Sequence, residues 1–141
     1  MSGGWFIEDM EVGQSADYVR TVTAEDIEAF ARVSGDTNPV HLDEEYARAT
    51  PFGGRIAHGM LSGAFISTIL GTKMPGPGTI YLGQTLKFRA PIRIGDEVTA
   101  RCTVREIVAE KRRVIMDCVC LVGGKPVTEG EATVMVPSRN A

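Results

Sequence analysis

The feature that most constrains the fold is an uncharged stretch that runs from Gly59 to Leu70. Its large apolar residues are interrupted only by alanine, serine, threonine and glycine. A helix that is apolar on every side is buried on every side. The stretch therefore predicts a central helix, ending at Gly71, around which the rest of the chain folds.

The second half of the chain is dominated by residues that favour β-strands. Val, Ile and Thr are frequent in four predicted strands, Thr79–Arg89, Glu97–Glu110, Arg112–Val122 and Val127–Val136. Short connections indicate antiparallel neighbours, because parallel strands require long crossovers. The pattern predicts an α+β fold in which one antiparallel sheet curves around the buried helix. The uncovered face or edge of such a sheet predicts pairing with a second copy, as a homodimer.

The first third of the chain predicts three shorter elements. Alternating residues indicate a strand over Ser15–Val22. Thr23 and Asp26 form a variant of the capping box, which predicts a helix that begins there and ends near Gly35. A short helix is predicted over Asp43–Ala49.

Two short segments carry candidate catalytic groups, one upstream of the apolar stretch and one, Ile56 to Leu61, at its beginning. The first, Gly35 to Asp43, places an acid, Asp36, and an imidazole, His41, on a run that Pro39 keeps extended or turned instead of helical. The second leads into the apolar helix through Gly59. An acid, an imidazole and a helix N-terminus are thus encoded close together.

These residue types suit the addition of water to an enoyl thioester. Asp36 and His41 can take a proton from water and give one to the α-carbon, and such catalysis is typically worth ~10²–10⁴-fold. The Gly59 N–H suits the thioester oxygen, since the first amides of a helix are unpaired and carry the positive end of its dipole. Glycine also lets a ligand approach closely. No metal is required, because conjugation to the thioester already activates the β-carbon.

Each residue also has a purely structural explanation. The run from residue 36 to residue 39 is a turn signal, so its acid is typical of a turn cap. A lone histidine such as His41 is weak evidence for catalysis. His58 is more typical of a structural residue at a helix entry, and Ser67 of helix packing. The combination favours a site, although sequence alone does not show that these groups converge.

The two segments together resemble the MaoC-like hydratases, in particular the short bacterial (R)-specific enoyl-CoA hydratases, also called hydratase 2. The motif is Asp36-x-Asn38-Pro39-x-His41-x-Asp43, followed by His58-Gly59-Met60-Leu61. The similarity continues through Gly78–Gln84, Phe88–Pro91 and Gly95–Val98 and covers most of the chain.

The resemblance implies the hot-dog fold, a long buried helix wrapped by an antiparallel sheet, and dimerisation through sheet pairing. It implies that Asp36 and His41 are catalytic and that the Gly59 amide binds the thioester oxygen. Asn38 would support the catalytic loop, and Ser67 would hydrogen-bond the Asp36 carboxylate. The implied reaction is reversible syn addition of water to trans-2-enoyl-CoA, giving (R)-3-hydroxyacyl-CoA, with coenzyme A as part of the substrate and no other cofactor.

Length and composition constrain the number of domains, the partners and the compartment of the protein. A length of 141 residues without a linker predicts a single domain, 1–141. A formal net charge of −3 disfavours nucleic acid as a partner. The apolar runs are too short to span a membrane and no secretory signal is recognisable, which predicts a cytoplasmic protein. Three cysteines without metal-ligand spacing predict buried, reduced thiols and no metal site.

Three alternative functions remain open at this point. They are a (3R)-hydroxyacyl-[acyl-carrier-protein] dehydratase, a hot-dog acyl-CoA thioesterase and a non-catalytic acyl-thioester binding module. The pathway is also open between polyester precursor supply and fatty-acid breakdown. Candidate cations for the coenzyme A phosphates are Lys73, Lys87, Arg89, Arg93 and Arg113, and candidates for shaping the acyl tunnel are Met60, Phe65, Met74, Ile80 and Leu82.

Overall fold

A computed structural model describes residues 3–140. The helices are α1 (Ala24–Ser34), α2 (Pro39–Leu42), α3 (Glu44–Arg48) and α4 (Gly59–Thr72). The strands are β1 (Ser15–Thr21), β2 (Ile80–Gln84), β3 (Lys87–Phe88), β4 (Glu97–Val108), β5 (Arg113–Val122) and β6 (Lys125–Met135). Short 3₁₀ turns cover Ile7–Asp9 and Ala109–Lys111.

The strands form one antiparallel sheet in the order β1-β4-β5-β6-β2, with β3 also paired to β6. Side chains of the long strands alternate between the two faces, and the inner face is buried. Helix α4 packs against that inner face through Phe65, Ile66 and Ile69, which are almost fully buried. The predicted α+β arrangement, a sheet around a central helix, is confirmed.

The ends of α1 follow the predicted capping signals. The Thr23 hydroxyl accepts the Asp26 N–H at 3.1 Å, and the Asp26 carboxylate accepts the Thr23 N–H at 3.1 Å. Gly35 ends the helix in the left-handed conformation with a φ of 80°, which glycine adopts without a steric penalty. The chain therefore leaves α1 at a defined angle directly before Asp36.

The prediction that residues 36–41 avoid helical structure is correct for residues 36–38 but wrong from Pro39 onwards. Pro39 begins α2, a single helical turn, and Asn38 is its N-cap, with Oδ1 accepting the Val40 N–H at 3.1 Å. Proline is tolerated at the first helical position because the N–H it lacks has no helical partner there. The turn folds the motif back on itself, so that His41 points towards the interior, where it is 8% exposed.

The predicted strand Thr79–Arg89 is in fact two short strands. Both pair with β6, and the chain between them is interrupted at Thr85 and Leu86. A register shift already occurs between Tyr81 and Gly83. Periodicity in the sequence does not reveal such an interruption, because Thr and Leu also suit a continuous strand.

Helix α4 differs from its prediction in length and in burial. It continues through Gly71 to Thr72. It is not buried all round, since Met60 is 57% exposed and Ala64 and Ser67 are exposed too. The sheet covers one side of the helix, whereas this second side faces solvent in the single chain. The burial prediction was therefore wrong for one face of α4.

The cysteine prediction agrees with the structure. Cys102, Cys118 and Cys120 are free and buried on the inner side of the sheet. Burial raises the pKa of Cys120 to about 12, which keeps this thiol protonated. Such thiols pack as small apolar groups.

Across residues 3–140, the helices are all too short or too polar to cross a membrane.

Candidate active site

The Asp36 carboxylate lies at the beginning of the turn that carries the motif. Its Oδ1 accepts the Asn38 N–H at 3.2 Å, as in an Asx turn. Asp36 is exposed, and one carboxylate oxygen can accept several hydrogen bonds. The turn-capping interpretation and the catalytic interpretation of this acid are therefore compatible.

The His41 imidazole has its orientation and tautomer fixed by the main chain. Its Nδ1 lies 2.9 Å from the carbonyl oxygen of Ile56. A carbonyl only accepts hydrogen bonds, so Nδ1 carries the hydrogen and Nε2 is the nitrogen that can exchange a proton. The side chain borders a cavity, which is where such an exchange would take place.

Asp36, His41 and His58 converge. Each has one polar side-chain atom within 4.8 Å of the corresponding atoms of the other two. The two imidazole rings stack, with their centroids 3.8 Å apart and their planes inclined by 26°. An acid and an imidazole at this separation can share one water molecule between them.

The same three residues are the group of potential metal ligands that the described chain contains. One nitrogen of each imidazole already faces a main-chain carbonyl at 2.9 Å. The remaining lone pairs lie in the planes of two stacked rings, and zinc requires donors that point at one position ~2.0–2.2 Å away. With one nitrogen of each ring held by a carbonyl, the other nitrogen is left to exchange a proton or to bind a cation.

Gly59 is the first residue of α4, and its N–H is directed out of the helix end. His58, the N-cap, provides no side-chain cap, and within residues 3–140 the Gly59 N–H has no hydrogen-bond acceptor. A Cβ at this position would lie 2.8 Å from a ring carbon of Phe88. The absence of a side chain therefore accommodates Phe88 directly, in addition to leaving the amide accessible.

A cavity of about 410 Å³ is bordered by His41 and Gly59, whereas Asp36 is not among its lining residues. His41, His58 and Gly59 form its polar end. The rest of its lining is largely apolar and consists of Phe52, Ile56, Ala57, Met60, Phe88, Arg89, Ala90, Pro91, Ile92 and Thr128. An apolar cleft with a few convergent polar groups is typical of a small-molecule site.

A second cavity, of about 570 Å³, lies on the exposed side of α4, and Met60 borders both. Its other lining residues are Phe30, Gly63, Ala64, Ser67, Tyr81, Leu82, Gly83, Gln84 and Leu86. Burial raises the pKa of Tyr81 to about 12, so this phenol stays protonated and donates a hydrogen bond to Gln84.

Ser67 does not reach Asp36, contrary to the interpretation drawn from the family resemblance. It is exposed in the second cavity, and its hydroxyl has no hydrogen-bond partner among the described residues. The helical period places it on the same side of α4 as Met60 and Gly63, which borders the second cavity. In the single chain its neighbours are therefore apolar.

Sequence reasoning missed three residues that support the site. Ser62 is fully buried, and its hydroxyl donates to the Gly59 carbonyl at 2.6 Å and lies 2.9 Å from the Thr128 hydroxyl. Arg55 donates from Nε to the His41 carbonyl at 2.7 Å. A serine three residues into an apolar helix was the one available signal, since it can bond within the first turn.

The curved sheet around α4 defines a hot-dog protein, and Asp36, His41 and the free amide of Gly59 form its candidate site. The profile described as "MaoC like domain" matches residues 8–121. The chain belongs to this MaoC-like family.

Named relatives extend over almost the whole chain. An (R)-specific enoyl-CoA hydratase of Rhodospirillum rubrum is 57% identical over 134 residues, which are 95% of this chain and 93% of that protein. A mitochondrial 3-hydroxyacyl-[acyl-carrier-protein] dehydratase of Arabidopsis thaliana is 35% identical over 92% of this chain and 79% of its own length.

Solved structures agree with the fold. The R-hydratase PhaJ1 of Pseudomonas aeruginosa superimposes with a TM-score of 0.92 at 48% identity, over 96% of this chain and 88% of that one. An (R)-hydratase of Aeromonas caviae, described as involved in PHA biosynthesis, superimposes with a TM-score of 0.90 at 40% identity, over 92% and 99% of the two chains.

Proposed function

We propose that this protein is an (R)-specific enoyl-CoA hydratase, a hydro-lyase that adds water reversibly to trans-2-enoyl-CoA and forms (R)-3-hydroxyacyl-CoA. The observation that carries the proposal is the convergence of Asp36 and His41 within 4.8 Å, with His41 lining the same cavity as Gly59 and its free amide. Relatives with this activity in their names support it across the length of the chain.

In the proposed reaction Asp36 and His41 hold the attacking water. The water oxygen bonds to the β-carbon while the pair accepts one of its protons. The pair then returns one proton to the α-carbon on the same face of the double bond, so it is unchanged after each turnover. His41 acts through Nε2, because its Nδ1–H is held by the Ile56 carbonyl.

The Gly59 N–H receives the charge that develops on the thioester oxygen, a contribution of ~10²–10³-fold for one such donor. The apolar cavity takes the acyl chain. Of the five cations considered for the coenzyme A phosphates, Arg89 lines this cavity. Its Nε lies 2.8 Å from a carboxylate oxygen of Glu129, so the guanidinium is held at the mouth of the site. The reaction needs neither a metal nor a redox cofactor.

The proposal also covers the oligomeric state, the compartment and the use of the product. The exposed side of α4 and the free edge of β2 support a homodimer. Free, buried thiols fit a reducing compartment, and we place the protein in the cytoplasm. Its product would serve any enzyme that consumes (R)-3-hydroxyacyl-CoA, including polyhydroxyalkanoate synthesis, the setting described for the Aeromonas caviae hydratase.

The test is the hydration of crotonyl-CoA, followed by the loss of enoyl absorbance. Asp36→Asn keeps an acceptor for the Asn38 N–H but removes the charge, and His41→Ala removes the imidazole. Each is expected to lower kcat by at least ~10²-fold, the lower end of what such catalysis supplies. Asp43→Asn is the matched control, because the amide still caps α3 through its oxygen. Activity within a few-fold of wild type in both site variants would refute the assignment.

Further assays on the same purified protein distinguish the hydratase from the alternative functions. Matched coenzyme A and acyl-carrier-protein thioesters compare the hydratase with the carrier-protein dehydratase. A thiol-reactive dye detects the free thiol that a thioesterase would release. Binding of a substrate analogue without turnover would indicate a binding module. Chiral analysis of the 3-hydroxyacyl product tests the (R) configuration.

A further inference from the structure

The segment that precedes α4 runs alongside the turn that carries Asp36 and His41. The Ile56 carbonyl accepts from His41 Nδ1 at 2.9 Å, and the Ile56 N–H donates to the Val40 carbonyl at 3.3 Å. The next residue, Ala57, donates its N–H to the Ile92 carbonyl at 2.7 Å. The segment is thereby hydrogen-bonded on one side to Ile92 and on the other side to the turn, so it can hold the turn in place.

His58 connects this segment to Asp36. It is 2% exposed and packs against His41 on one side and Phe30 on the other, with ring centroids 3.8 Å and 4.9 Å away. Its Nε2 lies 2.9 Å from the Asp36 carbonyl, and since a carbonyl only accepts, Nε2 carries the hydrogen. Its Nδ1 is buried and, among the described residues, has no partner.

The bond from His58 is the long-range restraint on Asp36. The other printed hydrogen bonds of Asp36 are local, from its N–H to the Ser34 hydroxyl and from the Asn38 N–H to its carboxylate. Local bonds set the shape of the turn, but they do not set its position relative to α4. Among the described residues, His58 alone links the Asp36 main chain by a hydrogen bond to the helix that presents the Gly59 amide.

Arg55 restrains the His41 end of the turn in the same way. Its side chain is only 13% exposed, and Nε donates to the His41 carbonyl at 2.7 Å. Its Nη2 is buried and makes no hydrogen bond, and it lies 3.7 Å from a carboxylate oxygen of Glu28 on α1. The ion pair to the half-exposed Glu28 carboxylate is long and contributes little, so the hydrogen bond from Nε is the contact that holds the main chain of His41.

We propose that His58 and Arg55 are positioning residues that hold the two ends of the catalytic turn in register with the start of α4. This role rests on the proposed function, in which Asp36 and His41 transfer the protons. Proton transfer requires heavy atoms ~2.6–3.2 Å apart, and a displacement of about 1 Å can cost ~10²-fold in rate. Neither residue needs to touch the substrate.

The His58 test compares two substitutions. His58→Gln places an amide N–H where Nε2–H was, whereas His58→Leu keeps the bulk and removes the donor. We expect kcat for crotonyl-CoA hydration to fall about 10²-fold in His58→Leu, with KM within a few-fold, and to stay within about tenfold of wild type in His58→Gln. Rates are expressed per folded protein, measured by circular dichroism and thermal melting.

The Arg55 test keeps the proposal falsifiable if His58→Leu does not fold. Arg55→Met removes both contacts of the guanidinium. Glu28→Gln removes only the ion pair and leaves the bond to His41. A fall of at least about tenfold in kcat is expected for Arg55→Met, with unchanged kcat for Glu28→Gln.

The outcomes separate the two proposals. If wild type hydrates crotonyl-CoA and His58→Leu keeps its kcat, or His58→Gln loses as much as His58→Leu, the positioning role of His58 is refuted and the function stands. Equal kcat in Arg55→Met and Glu28→Gln would refute the role of Arg55. If wild type itself does not hydrate the substrate, the proposed function fails first.

Discussion

Gly59 combines two requirements in one residue, a free amide for the thioester and space for Phe88. The Phe88 ring occupies the space that a side chain at Gly59 would need, and a Cβ there would lie 2.8 Å from a ring carbon. Gly71, on the same helix, has no atom within 4 Å of such a Cβ. The two glycines therefore differ in surroundings while sharing the helical conformation of α4.

Alanine should lower activity at Gly59 but leave it unchanged at Gly71. Gly59→Ala pushes Phe88 out of place, and we expect a fall of at least ~10-fold in kcat/KM towards crotonyl-CoA. This lower bound is smaller than the ~10²–10³-fold that a lost oxyanion donor costs, because the amide itself is retained. Gly71→Ala should leave kcat/KM unchanged and gain up to ~1 kcal/mol of unfolding free energy from helix propensity.

A Phe88→Ala background identifies the cause of the Gly59 effect. If displacement of the ring is responsible, adding Gly59→Ala to Phe88→Ala should have little further effect on kcat/KM. An additive loss would indicate instead that the methyl group itself obstructs the thioester. Equal kcat/KM in wild type and Gly59→Ala would contradict the role assigned to this position.

The serines of α4 show where sequence reasoning reached its limit at this scale. The types Asp36, His41 and Gly59 follow from chemistry. The structure places Asp36 close to His41, and His41 on the same cavity as Gly59. Which of the two serines, Ser62 or Ser67, supports the site depends on which side of the helix packs against the sheet. A helix with almost uniform apolarity does not encode that side, so its orientation follows only from the packed structure.

At the scale of elements, the start of α4 is fastened to β6 by one pair of hydroxyl groups. Ser62 and Thr128 are 0% and 2% exposed, and their hydroxyl oxygens lie 2.9 Å apart. Ser62 also bonds back to the Gly59 carbonyl. This contact positions the end of the helix that presents the Gly59 amide. Because both hydroxyl groups are buried, removing one leaves the other without a hydrogen-bond partner.

A double-mutant cycle measures that dependence. Ser62→Ala leaves the Thr128 hydroxyl buried without its partner and should cost ~1–3 kcal/mol of unfolding free energy. Ser62→Ala with Thr128→Val should lose less than the sum of the single changes, by ~0.5–3 kcal/mol. Urea denaturation gives these values.

Thr68→Ala, which removes a hydroxyl bonded only to the Ala64 carbonyl of the same helix, should change stability by no more than ~0.5 kcal/mol. Strict additivity would contradict the proposed coupling.

Sequence predicted elements well where local signals coincide with packing. The capping box of Thr23 and the left-handed Gly35 place both ends of α1 correctly. The interruption at Thr85 could not be predicted, because it accompanies a close approach of the Thr85 carbonyl to Gly130 on β6, where a Cβ would overlap it. That constraint links residues 45 positions apart in the chain, and no local pattern records it.

For the whole molecule, the two edges of the sheet differ in a way that bears on assembly. Strand β1 contains Asp17 and Arg20, whose charges discourage pairing with another chain. Strand β2, at the other edge, has the sequence IYLGQ and contains no charge. Its Ile80, Tyr81 and Leu82 are 55%, 40% and 43% exposed, beside the exposed Met60 of α4. An apolar, unprotected edge of this kind favours pairing with a second copy through β2.

Matched lysine substitutions at the two edges test this assembly. Ile80 on β2 and Val19 on β1 are 55% and 52% exposed, and both are β-branched. Ile80→Lys should weaken the dimer at least ~10-fold in dissociation constant, about 1.4 kcal/mol, because the charge would have to be buried on pairing. Val19→Lys should leave association unchanged. Sedimentation velocity over a dilution series measures both. A dimer that is weakened only by Val19→Lys would assign the interface to the opposite edge, and a wild type that sediments as a monomer at all concentrations would contradict dimerisation itself.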